Sequence, residues 1–293
     1  MLDYRLYTFL TLSETLNYTK AAEILCITQP AVSQHIRYLE TTYQIKLFDH
    51  HGKNLVLTKQ GEYLASCLRT MNADEKRVVE NLRNIKDITR IKFGATLTIG
   101  EYILPKRIKQ YLHIHPQTNL TMLVENTATL LQMLDHGEIS FAIVEGYFPL
   151  HRYEHQMLSR QPYVALKGKD YQMQKPVYTL QDLFDEPLII REEGSGTREV
   201  LERVLKERNL TIQDFSNTIE IGNMNAIKHL VEENTGITFL YKAAVEEELK
   251  KGTMEVIPLK DFDIQRDFTF ITLKNTIFME EYKDFISCIL QSE

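Results

Sequence analysis

The strongest constraint on the fold of this chain is a pair of short helical patterns near the N-terminus, separated by a tight break. The first pattern, residues 19–25, contains an Ala-Ala pair small enough to let another helix approach closely. The break, residues 27–30, puts Thr28 or Gln29 at a helix cap and Pro30 in the first turn, where the missing N–H costs nothing. The helix that follows has an apolar face and a polar face, formed respectively by Ala31, Val32, Ile36 and Leu39, and by Gln29, Ser33, Gln34 and Arg37. This pattern fits a helix-turn-helix, although periodicity alone fits an ordinary helical hairpin equally well.

A longer segment around these helices resembles a known family. Residues 9–61 read FLTLSETLNYTKAAEILCITQPAVSQHIRYLETTYQIKLFDHHGKNLVLTKQG. They resemble the N-terminal domain of LysR-type transcriptional regulators through F-x-x-L, A-A, T-Q-P-A-V-S-x-x-I-x-x-L-E, L-F and L-T-x-x-G. The resemblance implies a winged helix-turn-helix over residues 1–58, whose third helix enters the major groove of double-stranded promoter DNA.

The resemblance also implies which side chains contact DNA. The reading face of the third helix would consist of Gln29, Pro30, Ser33, Gln34 and Arg37. Gln and Arg side chains are able to bond base edges bidentately. The residues better placed for phosphates are Lys20, Thr28 and Lys53. At the start of the wing, where the family usually carries arginine, this chain has His50.

The charge of the N-terminal segment is balanced. Residues 1–58 contain five Lys or Arg and five Asp or Glu, and the whole chain has a formal net charge of −6. Because phosphate neutralisation supplies most non-specific affinity for DNA, we expect one such segment to bind weakly alone. Affinity then requires several copies on one duplex.

A long helical pattern follows the wing, from a cap at Thr58 to about Ile88. Its apolar residues alternate at spacings of four and three, and the series, interrupted only by Glu75, is Leu64, Leu68, Met71, Val78, Leu82 and Ile85. Such a seam is typical of a coiled coil, and the alternative is a single amphipathic helix packed on its own chain. We expect residues 59–89 to form a linker helix that pairs two copies, and the resemblance implies a homodimer that assembles further into a homotetramer.

After residue 90 the pattern changes to short apolar strands that alternate with helices, which is typical of βαβ units and a parallel sheet. The predicted strands are residues 91–97, 119–125, 140–145, 163–166, 188–191, 218–221, 237–241 and 268–273. The predicted helices include residues 101–113, 129–135, 227–233 and 280–290, and one that begins at the Gly-Ser-Gly-Thr loop.

In LysR-type regulators this region is a two-lobed effector-binding domain similar to type 2 periplasmic binding proteins. The resemblance therefore implies an α/β effector domain over residues 90–293, with a first lobe of residues 90–161 and 267–293 and a second lobe of residues 162–266. The firmest local match is D-E-P-L-I-I-R-E-E-G-S-G-T-R, residues 185–198, and its E-x-G-S-G-T-R motif is similar to the regulators of sulfur assimilation and carbon fixation.

The Gly-Ser-Gly-Thr loop feeds the N-terminus of a helix, where unpaired N–H groups and the helix dipole favour anions. Ligands of open α/β sheets bind beyond the carboxyl ends of the strands. The resemblance places an effector cleft there, lined by Thr96, Thr98, Asn126, Thr127, Glu145, Ser195, Thr197 and Arg198. Each of these residues taken singly also fits a turn or a cap. Together they suit sulfate, sulfite, phosphate or a carboxylate.

Glu145 fits an anion site poorly, because its carboxylate would repel the ligand. We consider two alternatives: Glu145 pairs with Arg198, or it receives a proton or an amine from the ligand.

Other function classes lack their signatures. The loop has no lysine for a P-loop, no G-x-S-x-G elbow surrounds Ser195, and the histidines show no metal spacing. We therefore expect no enzyme, no cofactor and no metal. An odd number of cysteines, three, suits free thiols, and neither a secretory signal nor an 18-residue apolar run is present. These features indicate a cytoplasmic protein, and the resemblance to a transcriptional regulator implies RNA polymerase as a possible further partner. The alternative is a solute-binding protein of the periplasmic type.

Overall fold

The computed structural model describes residues 3–52, 54–83, 89–145, 147–176 and 178–290. The N-terminal part, called the head below, has three helices and a two-stranded antiparallel wing. These elements are α1 (Tyr4–Thr15), α2 (Tyr18–Leu25), α3 (Gln29–Tyr43), β1 (Phe48–His51) and β2 (Asn54–Leu57). The helix-turn-helix is formed by α2 and α3.

Short polar side chains define where the helices of the head begin. Asp3, Asn17 and Thr28 cap α1, α2 and α3 by accepting hydrogen bonds from backbone N–H groups two or three residues ahead. Such caps satisfy N–H groups that have no partner inside the helix. Behind the caps, the apolar faces of the three helices meet in one core that includes Phe9, Leu12, Ala21, Val32, Ile36 and Leu39.

The linker helix α4 spans Lys59–Arg83 and begins at Thr58, whose Oγ1 accepts a hydrogen bond from the N–H of Gly61 at 3.0 Å. Its apolar seam divides into two parts. Leu68 is buried in the core of its own head and Leu64 packs against that core, whereas Met71, Val78 and Leu82 are exposed. Ile85 and the predicted end of the helix near Ile88 lie outside the described residues.

The interpretation of the seam as wholly intermolecular is therefore wrong for Leu64 and Leu68. These two side chains stabilise the junction between head and linker, because the helix continues directly from the wing and passes over the head. For the exposed part of the seam, pairing with a second copy stays a prediction.

A seven-stranded mixed sheet forms the centre of the effector domain, with the order β10, β6, β11, β5, β3, β4 and with β9 also paired to β6. Its strands are β3 (Thr89–Ala95), β4 (Thr118–Val124), β5 (Ala142–Val144), β6 (Tyr153–Gly168), β9 (Thr238–Tyr241), β10 (Met254–Val256) and β11 (Ile264–Leu273). A separate parallel pair consists of β7 (Pro187–Ile190) and β8 (Asn217–Glu220).

Two lobes are arranged around this sheet. In the first lobe β3, β4 and β5 are parallel and lie with α5 (Leu104–Ile114), α6 (Thr127–Asp135) and α10 (Met279–Leu290). In the second lobe β7, β8 and β9 lie with α7 (Gly196–Glu207), α8 (Met224–Glu232) and α9 (Glu246–Lys251). Short π- and 3₁₀-helical turns complete both lobes, and the first precedes α5 at Ile99–Ile103.

The long strands β6 and β11 run antiparallel between the lobes. Their register sets Gln161 opposite Arg266, the two positions at which the sequence predicts the crossings. The predicted strand over residues 163–166 is only the second half of β6. The boundaries of the domains and lobes stay predictions.

The linker helix also packs on the first lobe of its own chain. Asp74 accepts hydrogen bonds from the Thr276 hydroxyl (2.7 Å) and the Ile277 N–H (3.1 Å). Arg77 donates to Ser140 Oγ (2.9 Å), to Glu281 (2.6 Å) and to the Tyr282 hydroxyl. The head, the linker helix and the first lobe are thus connected by direct contacts.

None of the helices in the described residues combines the length and the apolar character that crossing a membrane requires. Cys26, Cys67 and Cys288 are free thiols.

Candidate functional site

The reading face predicted from the sequence is available on the surface of α3. Gln29, Pro30, Gln34 and Arg37 are exposed, and Ser33 is half-buried. The amide of Gln29 donates a hydrogen bond to Ser33 Oγ at 3.0 Å, so the first turn of the face is ordered by its own side chains. The opposite face of α3 is buried in the head. The arrangement presents a polar helix surface of the kind that enters a major groove.

The residues predicted to contact phosphates lie around this face. Lys20 is exposed near the start of α2, and His50 is exposed in the wing. Thr28 caps α3, with its Oγ1 accepting from the Ala31 N–H at 3.3 Å. Lys53 lies outside the described residues. Contact of Lys20, Thr28 and His50 with the DNA backbone stays a prediction.

The predicted effector residues surround the carboxyl group of Glu145, which follows β5 and is 5% exposed. Its Oε1 accepts hydrogen bonds from the hydroxyls of Thr98 (3.4 Å) and Thr197 (3.2 Å). Thr98 belongs to the first lobe and Thr197 to the second. One buried carboxyl oxygen therefore joins the two lobes.

Strand ends explain why these side chains converge. Thr96 follows β3, Glu145 follows β5 and Arg191 follows β7, so each occupies the carboxyl end of a parallel strand. Gly194 has a φ of +85°, a conformation that glycine adopts without strain and that turns the chain into α7. The backbone of Gly196 then lies beside Glu145, and a Cβ there would be 3.6 Å from Glu145 Cγ.

Several buried polar atoms in this region have no hydrogen-bond partner. Among the described residues they are Thr96 Oγ1, Thr127 Oγ1, Glu145 Oε2, Arg191 Nη1 and the Tyr241 hydroxyl. A buried polar group without a partner costs about 1–3 kcal/mol, so native proteins contain few of them. We call the set of Thr96, Thr98, Thr127, Glu145, Arg191, Thr197 and Tyr241 the cleft cluster. Its unmet hydrogen-bonding capacity is typical of a binding site.

Burial raises the pKa of Glu145 to about 7. The hydrogen bonds from Thr98 and Thr197 and the positive charge of Arg191 oppose this shift but do not cancel it. Near neutral pH the carboxyl group is therefore divided between its protonated and ionised forms. Shifts of this kind are common at functional sites.

Arg198 is not the partner of Glu145. Its Nε lies 2.7 Å from Glu202 and its Nη1 lies 2.6 Å from Glu220, so the guanidinium is bound to carboxylates of its own lobe. The alternative in which Glu145 pairs with Arg198 is wrong. The guanidinium whose charge acts on Glu145 is that of Arg191, whose other nitrogens bind Glu192.

The remaining predicted effector residues occupy different environments. Ser195 is buried at the N-terminus of α7, next to the cleft cluster. Asn126 is exposed and caps α6, with its amide oxygen accepting from the Thr129 N–H at 2.9 Å. The structure brings Ser195 together with the threonines and Glu145, and it leaves Asn126 and Arg198 at the margin.

Three residues of the site were not singled out from the sequence. They are Arg191, Tyr163 and Tyr241, all of which are buried. The Tyr163 hydroxyl donates to the Thr197 carbonyl at 2.9 Å and so fixes the first turn of α7. The position of Arg191 directly after a buried strand was a usable signal, whereas both tyrosines lie in strands that read as core.

Within the described ranges, no group of three or more His, Cys, Asp and Glu side chains is close enough to hold a metal ion.

Comparison with known proteins agrees with this architecture. Residues 4–62 match the family described as bacterial regulatory helix-turn-helix protein, lysR family, and residues 87–292 match the LysR substrate binding domain. The first match excludes the alternative of a solute-binding protein, because that class needs no DNA-reading head.

Individual relatives cover most of the chain. It is 32% identical to the HTH-type transcriptional regulator YeiE of Escherichia coli K12, over 82% of this chain and 80% of that one. It is 27% identical to a probable RuBisCO transcriptional regulator of Cyanophora paradoxa, over 94% and 86% of the two chains. The regulatory domain of CcmR from Synechocystis PCC6803, solved in complex with 2-PG, has the same fold (TM-score 0.61, 20% identity, 70% of this chain and 98% of that one). The chain thus belongs to the LysR family of transcriptional regulators, with an N-terminal DNA-binding helix-turn-helix and a C-terminal effector-binding domain.

Proposed function

We propose that this regulator senses a small anion in the interlobe cleft and changes its binding to promoter DNA in response. It acts in the cytoplasm as a homodimer paired through α4, and as a dimer of such dimers, with RNA polymerase as a further partner. Its role is regulatory rather than catalytic, since the named relatives are transcriptional regulators. The observation that carries the proposal is the buried Glu145 carboxyl joined to threonines of both lobes.

The class of ligand follows from the hydrogen-bond donors of the site that have no partner within the described part of the chain. Thr96 and Thr127 supply hydroxyls, Arg191 supplies an N–H, and the first turn of α7 supplies backbone N–H groups. Donors at a helix N-terminus favour sulfate, sulfite, phosphate or a carboxylate. The 2-PG complex of the CcmR domain supports a small ligand in this fold.

Glu145 is compatible with an anion when it carries a proton. A protonated carboxyl donates one hydrogen bond, so the group that would repel the ligand becomes a donor to it. Since the pKa of Glu145 is raised to about 7, this form is accessible at cytoplasmic pH. Anion binding is then accompanied by proton uptake, and affinity falls as pH rises above 7.

The response requires that ligand prefers one arrangement of the lobes. A ligand shifts such an equilibrium only by its differential affinity for the two arrangements. Thr98 and Thr197 reach the same carboxyl oxygen from opposite lobes, so a ligand at Glu145 contacts the closed arrangement more fully than an open one. The packing of α4 on the first lobe transmits the change to the head.

Calorimetric titration of the purified full chain with sulfate, sulfite, phosphate, O-acetylserine and small carboxylates tests this proposal. Thr197→Val should weaken binding of the active anion at least tenfold, because it removes a cleft hydroxyl. Thr121→Val is the matched control, since Thr121 is exposed in the middle of β4 and does not belong to the cleft cluster. If both variants bind like the parent, the cleft is not the anion site.

Footprinting on the adjacent promoter tests the response itself. Saturating ligand should change the protected region or the DNA bend. An identical footprint with and without ligand contradicts the proposed regulation.

A further inference from the structure

A second space adjoins Glu145 on the side of the crossing strands. It is a cavity of about 580 Å³ between β6, β11 and the segment that follows β5. The residues that matter for its chemistry are Glu145, Tyr147, Met157, Arg160, Arg266 and Asp267. We call this space the outer cavity. A water molecule takes about 30 Å³, so the outer cavity is far larger than an inorganic oxyanion needs and falls within the range of pockets for small organic ligands.

The two guanidinium groups of the outer cavity differ in their partners. Arg160 forms two hydrogen bonds to Asp267, at 2.7 and 3.3 Å, so these opposite charges neutralise each other. Arg266 donates from Nη1 to the Gln265 carbonyl at 3.1 Å, and its Nε is buried without a hydrogen-bond partner. Arg266 therefore carries a positive charge and an N–H donor that has no hydrogen-bond acceptor among the described residues.

The outer cavity and the cleft cluster share Glu145, which lines the first and belongs to the second. Tyr241 connects them as well. Burial and the charge of Glu145 raise the pKa of Tyr241, and the charge of Arg266 opposes this, so Tyr241 lies within electrostatic reach of both Glu145 and Arg266. Unpartnered donors thus occur in the cleft cluster, at Arg191, and at the outer cavity, at Arg266.

We propose that the effector is a small organic molecule with two acidic groups, one bound in the cleft cluster near Thr197 and the other by Arg266 in the outer cavity. This inference rests on the proposed anion-binding function of the cleft and names the class of ligand more narrowly. A planar guanidinium suits a carboxylate or a phosphate, which it binds through two parallel hydrogen bonds. The apolar surfaces of Tyr147 and Met157 accommodate the carbon atoms between the two groups.

Paired probes make the test independent of the natural ligand. The probes with two acidic groups are succinate, sulfoacetate and phosphoglycolate. Their counterparts, in which a methyl group replaces one carboxylate, are butyrate, ethanesulfonate and ethyl phosphate. In calorimetric titrations of the full chain, at least one probe should bind about tenfold or more tightly than its counterpart, because only the probe reaches Arg266.

Arg266→Gln should abolish the tighter binding of the two-acid probe and leave the affinity for the single-acid counterpart unchanged. Arg266→Lys keeps the charge and should retain part of the difference in affinity. Arg208→Gln is the matched control, since Arg208 is at the surface of the second lobe, paired with Asp261, and should preserve the full ratio. Thermal unfolding without ligand verifies that each variant is folded.

Failure of the two-acid inference can be distinguished from failure of the proposed anion site. Equal affinity of the wild-type chain for every probe and its counterpart overturns the two-acid inference. So does a ratio of probe affinity to counterpart affinity that Arg266→Gln does not reduce. Binding of inorganic sulfate or phosphate more tightly than any probe overturns it too. If Thr197→Val changes the affinity for neither class, the fault lies with the proposed cleft itself.

Discussion

Gly137 of the first lobe lies so close to Ala73 of the linker helix that a Cβ on Gly137 would be 2.6 Å from Ala73 Cα. Gly137 also has a φ of +66°, in the left-handed region. The helix that carries the head therefore fits against the sensor without space for one additional carbon atom. This contact, together with those of Asp74 and Arg77, makes the linker part of the sensor surface.

We expect Gly137→Ala to lower the free energy of unfolding by about 2–4 kcal/mol, from the left-handed backbone and from the clash with Ala73. Gly252→Ala is the control, because Gly252 has a φ of +71° and a methyl group added there would have no neighbour within 4 Å. It should cost only about 1 kcal/mol. Urea unfolding measures both values, and equal losses would show that the contact with Ala73 is not tight.

Arg77→Ala should destabilise the chain by about 2 kcal/mol, since it removes donors to Ser140, Tyr282 and Glu281 at once. Glu281→Gln removes only the half-exposed ion pair and should cost less than about 1 kcal/mol. Thermal unfolding of both variants checks the difference. If Glu281→Gln lowers stability as much as Arg77→Ala does, the surface ion pair alone accounts for the contribution of Arg77.

Glu145→Gln should stabilise the chain in a pH-dependent manner. The pKa of Glu145 is raised from 4.5 to about 7, so the unfolded state ionises first and stability is lost as pH rises through this interval. Glutamine has no proton to lose. The variant should therefore exceed the parent by an amount on the order of 3 kcal/mol at pH 8 and by little near pH 4.5.

Urea unfolding at several pH values measures this difference. The exposed Glu125 provides the control, and Glu125→Gln should follow the parent. A constant difference between Glu145→Gln and the parent across the range would contradict the raised pKa.

Substitutions on the reading face should weaken promoter binding without affecting the fold. Arg37→Ala and Ser33→Ala each remove one exposed or half-exposed polar group of α3, and the loss for a base contact is about 1–3 kcal/mol. Thr42→Ala changes an exposed residue in the last turn of the same helix, beyond the reading face, and should bind DNA as the parent does. Electrophoretic retardation of the promoter fragment at fixed salt provides the measurement.

Local signals allowed most of the fold to be predicted. The cap at Thr28, the proline of α3 and the alternation of strands and helices all depend on neighbours in the chain, and the predicted elements lie within a few residues of the observed ones. The first half of β6 was missed because its side chains are mostly exposed or half-buried, which gives no apolar alternation. Likewise, spacing alone does not show whether Leu64 and Leu68 pack on their own head or on a second copy of the chain.

The location of the site could be predicted from the sequence, but the hydrogen-bond and ion-pair partners of its side chains could not. Strand ends located Glu145 and the threonines, because the carboxyl ends of parallel strands share one edge. The partners of Arg198 are Glu202, one helical turn away, and Glu220 on a separate strand. Spacing does not reveal which carboxylate a guanidinium selects, so the sequence led to Arg198 rather than Arg191 as the arginine of the site.

The linker helix has 25 described residues, which corresponds to a rod about 37 Å long. One end of this rod holds the head and its side is fastened to the first lobe, so it has the geometry of a lever. A tilt of about 5° displaces the far end by about 3 Å, close to the rise of one base pair along a DNA strand. If closure of the proposed cleft tilts α4 by this amount, the recognition helix moves out of step with its half-site.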